Sequence, residues 1–274
     1  MFKRAILTSL IGLWLAAPAD AGAPRRIVSF NLCADQLLVA LADPDQIAGL
    51  SPYATDPALS VVSAQASRFA RLDWTAESVV NLAPDLVFLG PTARPTQAML
   101  KTMGIRVEDV ALVSDFATAR RQARAFGLLV GHPDRGETLA RALERAEARL
   151  SALAFDPPRS GLVIERRGYV AGPDSLAAAM IAAAGLRPPS GAPSGYGGFV
   201  TLEQLIAEQP DVLVLKDAPA AAVDQAAIFL THPALRAIYS GKRRIDMPAR
   251  YTLCGGPALL EGMEFLAAAV AAIR

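Results

Sequence analysis

The sequence predicts an α/β protein of two lobes with parallel sheets, joined by a single long α-helix. Three observations predict it. Short apolar runs alternate with helical patterns along most of the chain, and that alternation argues for parallel sheets. A strand-free segment, 116–154, splits the alternating material into two halves. The two halves carry one motif in common, 126 residues apart.

The elements follow in order. Lys3 and Arg4 precede an apolar run over 5–17, then Pro18 and the small-residue pattern Ala19-Asp20-Ala21. This has the form of a secretory signal with cleavage after Ala21, and it is short for a spanning helix. No Cys sits at the cleavage point for a lipid anchor. The first half reads as strands over 26–30, 47–50, 86–89 and 107–110, with helices over 34–42, 76–83 and 95–103. Between the halves, 133–153 reads as one uninterrupted helix of 21 residues, roughly 31 Å long. Pro133 suits its first turn, Pro157 and Pro158 end it, and Leu139, Leu143, Ala146 and Leu150 give it one apolar face. The second half reads as strands over 161–165, 212–215 and 243–246, with helices over 175–184, 202–208 and 257–272.

Composition narrows the function. Of 274 residues, 53% are hydrophobic and only 19% charged, which excludes a disordered chain. A net charge of +1 offers nucleic acid no electrostatic footprint. Two Cys make no disulfide scaffold, and two His make no His-rich metal site. The mean hydropathy of +0.31 is high for a soluble protein. Part of it is the signal sequence. Its removal takes two of the 27 basic residues and one of the 26 acidic ones, leaving 25 of each. No later stretch is apolar for 18 residues. The mature protein is expected to be exported, soluble and in a compartment that permits disulfides.

The shared motif has a local physical meaning. Thr75-Ala76-Glu77 is followed after six residues by Pro84-Asp85, and Thr201-Leu202-Glu203 after six by Pro210-Asp211. Thr suits an N-cap, Glu the positive end of the helix dipole, and Pro-Asp breaks the helix before a buried strand. Two like lobes about one helix leave a cleft between them. In open α/β lobes, ligands bind beyond the carboxyl ends of the strands.

Arg26-Ile27-Val28-Ser29 after a signal sequence, the paired Thr-x-Glu…Pro-Asp motifs and the single long helix resemble the periplasmic substrate-binding proteins of cobalamin and iron–siderophore ABC importers. The resemblance covers about 25–273. It implies a signal peptide (1–21), an N-terminal Rossmann-like α/β lobe (22–115), a helical bridge (116–156) and a C-terminal lobe (157–274). It also implies a monomer without intrinsic cofactor that sandwiches a corrinoid, ferric siderophore or haem and delivers it to an inner-membrane permease. Glu77 and Glu203 match the family's docking carboxylates. On residues alone, each Glu equally reads as a first-turn stabiliser of about 0.3–1 kcal/mol.

The candidate cleft residues come from strand ends. They are Asn31, Cys33, Tyr53, Arg71 and Arg94 in the first lobe, and Arg166, Arg167, Tyr169, Tyr196, Arg250, Tyr251 and Cys254 in the second. By resemblance, Tyr53 and Tyr169 match aromatic positions that flank the corrin ring. Aromatic faces and guanidinium planes suit a large flat ligand with carboxylate or amide edges. The chain departs from the family at Cys33, and at Cys254, where a cobalamin binder carries a basic residue. Three states are open to this pair: a disulfide, a thiolate site for a metal or a chelate's metal centre, or two small buried apolar residues.

Other functions fit less well. Nothing matches Gly-x-Gly-x-x-Gly after a strand, Walker A or Gly-x-Ser-x-Gly, and His132 and His232 each precede Pro. An enzyme is not expected. A zinc or manganese importer component shares the two-lobe plan by resemblance, with the cysteine pair as its only support. A ligand sensor docking on a membrane receptor is the other alternative.

Overall fold

A computed structural model describes residues 22–73, 75–91, 93–218 and 224–274. The predicted signal sequence lies outside them. In the first lobe, β1 (Ile27–Ser29), β2 (Ile47–Gly49), β3 (Leu86–Leu89) and β4 (Arg106–Asp109) form a sheet of order β2-β1-β3-β4. Every pairing is parallel. Helices α1 (Leu32–Leu41), α2 (Ser63–Ala66), α3 (Ala76–Val80) and α4 (Arg94–Thr102) connect them. All residues of β1 and β3 are buried because both sheet faces are covered. One face carries a core with α1 (Leu37, Leu38, Leu41), the other a core with Val79 and Leu100.

The second lobe departs from the expected all-parallel sheet. Its strands are β5 (Arg159–Ile164), β6 (Tyr169–Ala171), β7 (Leu186–Arg187), β8 (Gly197–Phe199), β9 (Val212–Lys216) and β10 (Arg244–Met247), in the order β10-β9-β5-β6-β8. The β10–β9–β5 core is parallel, and β7 adds a short parallel pair to β5. Strands β6 and β8 are antiparallel. The turn at residues 166–168, where Arg167 and Gly168 both take positive φ, reverses the chain from β5 into β6, and β8 then pairs antiparallel with β6. Helices α7 (Leu176–Ala183) and α11 (Pro257–Ile273) cover one face, and α8 (Leu202–Glu208), α9 (Gln225–Thr231) and α10 (Pro233–Ile238) the other.

The bridge is a pair of helices. α6 (Pro133–Ala152) matches the expected long helix, and α5 (Phe116–Leu129) runs back along it. α5 puts Phe116 and Ala119 into the second-lobe core but Phe126 into the first-lobe core. Gly127 and Gly136 let the two backbones touch. A Cβ on Gly127 would lie 2.7 Å from the Cα of Gly136.

The shared motif does the same work in each lobe. Thr75 and Thr201 cap α3 and α8. Ala83 and Gln209, each before a Pro, adopt positive φ. Asp85 accepts the amides of Arg25 and Arg26 at the start of β1, and Asp211 accepts the N–H and Oγ–H of Ser160 in β5. Each Asp thus ties the head of its own strand to the neighbouring strand.

Candidate functional site

The carboxyl ends of the parallel strands collect exposed apolar side chains from both lobes. Tyr53 follows β2, Leu112 follows β4, and Leu253 follows β10, and all three are exposed. Phe199 ends β8 with 66% of its surface open. It lies in register with Tyr169, whose carbonyl accepts the Glu165 amide at the end of β5. Large apolar groups left exposed at strand ends offer a surface suited to a ligand.

The second-lobe wall is aromatic and cationic. Tyr169 and Phe199 meet edge to face at 5.5 Å. The Tyr169 hydroxyl donates to the Tyr196 carbonyl at 3.0 Å, which orients the ring. Tyr196 itself is exposed. The Arg167 guanidinium sits 5.7 Å from the Phe199 centroid. Arg166 is paired with Asp224, the N-cap of α9. That Arg and the backbone amides hold the Asp224 carboxyl below its ordinary range. Lys216 and Glu165 form a further pair at 2.8 Å, at the ends of β9 and β5.

In the first lobe, Asn31 is committed to structure. Its side chain caps α1, accepting the amides of Cys33 and Ala34 at 2.9 and 3.1 Å. Arg71 is exposed beside the end of β2, where it bridges to Leu50. Arg94 opens α4. Arg250 crosses the cleft, donating to the Pro57 carbonyl at 3.2 Å. Tyr251 accepts a hydrogen bond from the Arg250 guanidinium on its hydroxyl at 3.3 Å and holds it 4.9 Å from its ring centroid. Its ring packs on Phe265 of α11, in a groove of about 590 Å³ that Arg145 of α6 also lines.

Cys33 and Cys254 form a disulfide with Cα atoms 5.2 Å apart. It joins the first turn of α1 to the loop before α11, tying lobe to lobe at the cleft floor. Both sulfurs are consumed, so the thiolate metal site considered from sequence has no ligands here; a metal needs the thiolate form. Gly256, two residues on, has φ +66, and a Cβ there would strike Leu37 of α1 at 2.8 Å. The histidines lie elsewhere. His132 sits 3.1 Å from Asp43, and His232 Nδ1 accepts the Ala234 amide in the first turn of α10. Among the described residues no three His, Cys, Asp or Glu side chains converge on a metal position.

Glu77 and Glu203 stand exposed in the first turns of α3 and α8. The Glu203 carboxyl is held below its ordinary range by its own amide, by Thr201 and by nearby His232. Sequence reasoning missed Phe199. The pairing of Tyr169 with Phe199 across two three-residue strands leaves little trace in a Gly-Gly segment.

The chain matches the periplasmic binding protein family over residues 27–248. It is 28% identical over 202 residues to a cobalamin-binding protein of Halobacterium salinarum, covering 70% of this chain. It spans 53% of that curated relative. Its fold is similar to the periplasmic vitamin B12 binding protein BtuF of Vibrio cholerae (TM-score 0.68, 16% identity, 91% of this chain and 97% of that one). It is also similar to the apo periplasmic heme-binding protein RhuT of Roseiflexus sp. RS-1 (TM-score 0.70, 25% identity, 91% and 99%). No helix among the described residues is long and apolar enough to cross a membrane. With its two helix-bridged α/β lobes and a match over most of its length, the chain belongs to the periplasmic binding protein family.

Proposed function

We propose that the chain captures a metal chelate between its lobes and delivers it to an ABC importer permease in the inner membrane. The observation that carries this is the set of exposed apolar residues at strand ends of both lobes, together with exposed Arg71 and Arg94 and with Arg167 beside Phe199. Apolar faces suit a macrocycle, and guanidinium groups suit its carboxylate or amide edge.

Among chelates, a corrinoid such as cobalamin is the reading favoured by the cobalamin-binding relative, and the scarcity of Cys and His donors suits a cargo whose metal is already saturated. Both cysteines are in the disulfide, and both histidines lie at helix starts away from the strand ends. A cargo whose metal arrives with its coordination complete, a corrinoid or a ferric siderophore, needs no donor from the protein. Glu77 and Glu203, one per lobe, would pair with basic groups of the permease and fix its orientation. Residues 1–21 would direct export and be removed after Ala21.

A thermal-shift screen of cyanocobalamin, cobinamide, haem and ferric siderophores tests the reading. Binding to the native state alone raises the melting temperature by linkage. A shift with a corrinoid is expected. No shift with any of the four would overturn the chelate reading.

A further inference from the structure

Helix α1 carries a buried polar face that packing alone does not require. Asp35 and Gln36 are fully buried on a helix whose neighbours Leu37, Leu38 and Leu41 form core. Both reach one segment, residues 51–62, which follows β2 and presents Tyr53. The Asp35 carboxylate accepts from the Ser51 hydroxyl and from the Ser51 amide at 3.2 Å. Gln36 Oε1 accepts the Val61 amide at 3.4 Å, while its Nε2 is buried without a partner. Consecutive residues of α1 therefore hold both ends of the 51–62 segment.

The same helix is tied to the other lobe. Cys33, two residues before Asp35, is bonded to Cys254. The segment containing Cys254 also carries Arg250, which donates to Pro57 in the middle of residues 51–62. The contacts close a circuit: α1 to 51–62, across the cleft to 248–254, and back to α1 through the disulfide. Burial pushes the Asp35 carboxyl up to about 6, and its hydrogen-bond partners are all neutral groups. Keeping an acid there costs stability at neutral pH, which is the pattern of a residue held for positioning.

We propose that α1 registers the two rims of the cleft: Asp35 and the Cys33–Cys254 bond together fix residues 51–62 against residues 248–254, and cargo binding depends on that register. Asp35 and the disulfide act as positioning groups and do not themselves contact cargo. The proposal rests on the cleft being the cargo site, so one readout is chosen that needs no cargo.

That readout is amide hydrogen exchange in the ligand-free protein, comparing wild type, Asp35→Ala, Asp35→Asn, and Cys33→Ser with Cys254→Ser. Asp35→Ala is expected to speed exchange in 51–62 and also in 248–254 across the cleft. Asp35→Asn, which keeps an acceptor for the Ser51 amide, is expected to restore both. The double serine variant is expected to speed exchange in both segments while the strand cores stay protected. For Asp35→Ala, acceleration confined to residues 51–62 would overturn the proposal; for the serine variant, residues 51–62 exchanging as in wild type would overturn it, and that variant decides the matter even if Asp35→Ala does not fold. Cyanocobalamin affinity gives the second readout. A loss of about tenfold is expected for Asp35→Ala and for the serine variant, with the combined variant losing less than the product. If wild type takes up no cyanocobalamin, the cargo reading fails while the exchange result still stands.

Discussion

Replacing Asp35 by Asn should change how stability depends on pH, and the size follows from the burial of one carboxyl. The folded protein holds the Asp35 pKa at about 6 against 3.8 for the free side chain, with desolvation as the largest cause. A raised acid pKa means the folded state takes up a proton more readily than the unfolded state. Stability from this group is therefore greatest below about pH 4 and is lost as pH rises through 6. A rise of that size corresponds to about 3 kcal/mol over the whole window. Between pH 8 and pH 5 wild type should gain about 1 kcal/mol from this group by linkage. Asp35→Asn cannot ionise and lacks that gain. It should be the more stable protein at pH 8, by up to about 3 kcal/mol if its amide keeps the Ser51 bonds. Urea unfolding of both proteins at pH 8 and pH 5 measures the difference, and other titrating groups cancel in the comparison. Parallel pH profiles would refute the reasoning, since they would mean burial does not oppose ionisation of Asp35.

Other substitutions probe separate parts of the molecule. Glu77→Ala with Glu203→Ala should leave ligand affinity intact and weaken vesicle uptake through the permease; equal uptake would remove these carboxylates from docking. Gly127→Ala places a methyl against the backbone of α6, 2.7 Å from Gly136 Cα, and should lower stability by about 1–3 kcal/mol in urea melts. Phe199→Ala should weaken cyanocobalamin binding with little effect on the melting temperature, because the ring is mostly exposed. An unchanged dissociation constant would take Phe199 out of the cleft wall.

The features legible in the sequence were those whose causes are local. The Thr caps and the first-turn glutamates recur in both lobes because each is built within one turn of its helix; the Pro-Asp pairs were legible as helix breaks, while the strands their carboxylates tie lie 60 and 51 residues away. The long helix announced itself by Pro133 and its apolar stripe. Strands β6 and β8 did not. Each has three residues, β8 begins with two glycines, and only antiparallel pairing at the sheet edge makes them strands. The short helices α9 and α10 were likewise unmarked. Cys33 and Cys254 are 221 residues apart, so sequence could name the pair but not choose its state. Asp35 and Gln36 fall where an amphipathic helix would face water; residues 51–62 cover that face instead.

The central claim is that the cleft binds a corrinoid. Equilibrium dialysis of the mature protein against cyanocobalamin, followed by the absorbance of the corrin ring, tests it most directly. Saturable uptake of one corrinoid per chain, reduced by Phe199→Ala and Tyr169→Ala, is the expected result. No uptake, or uptake indifferent to both substitutions, would contradict the account.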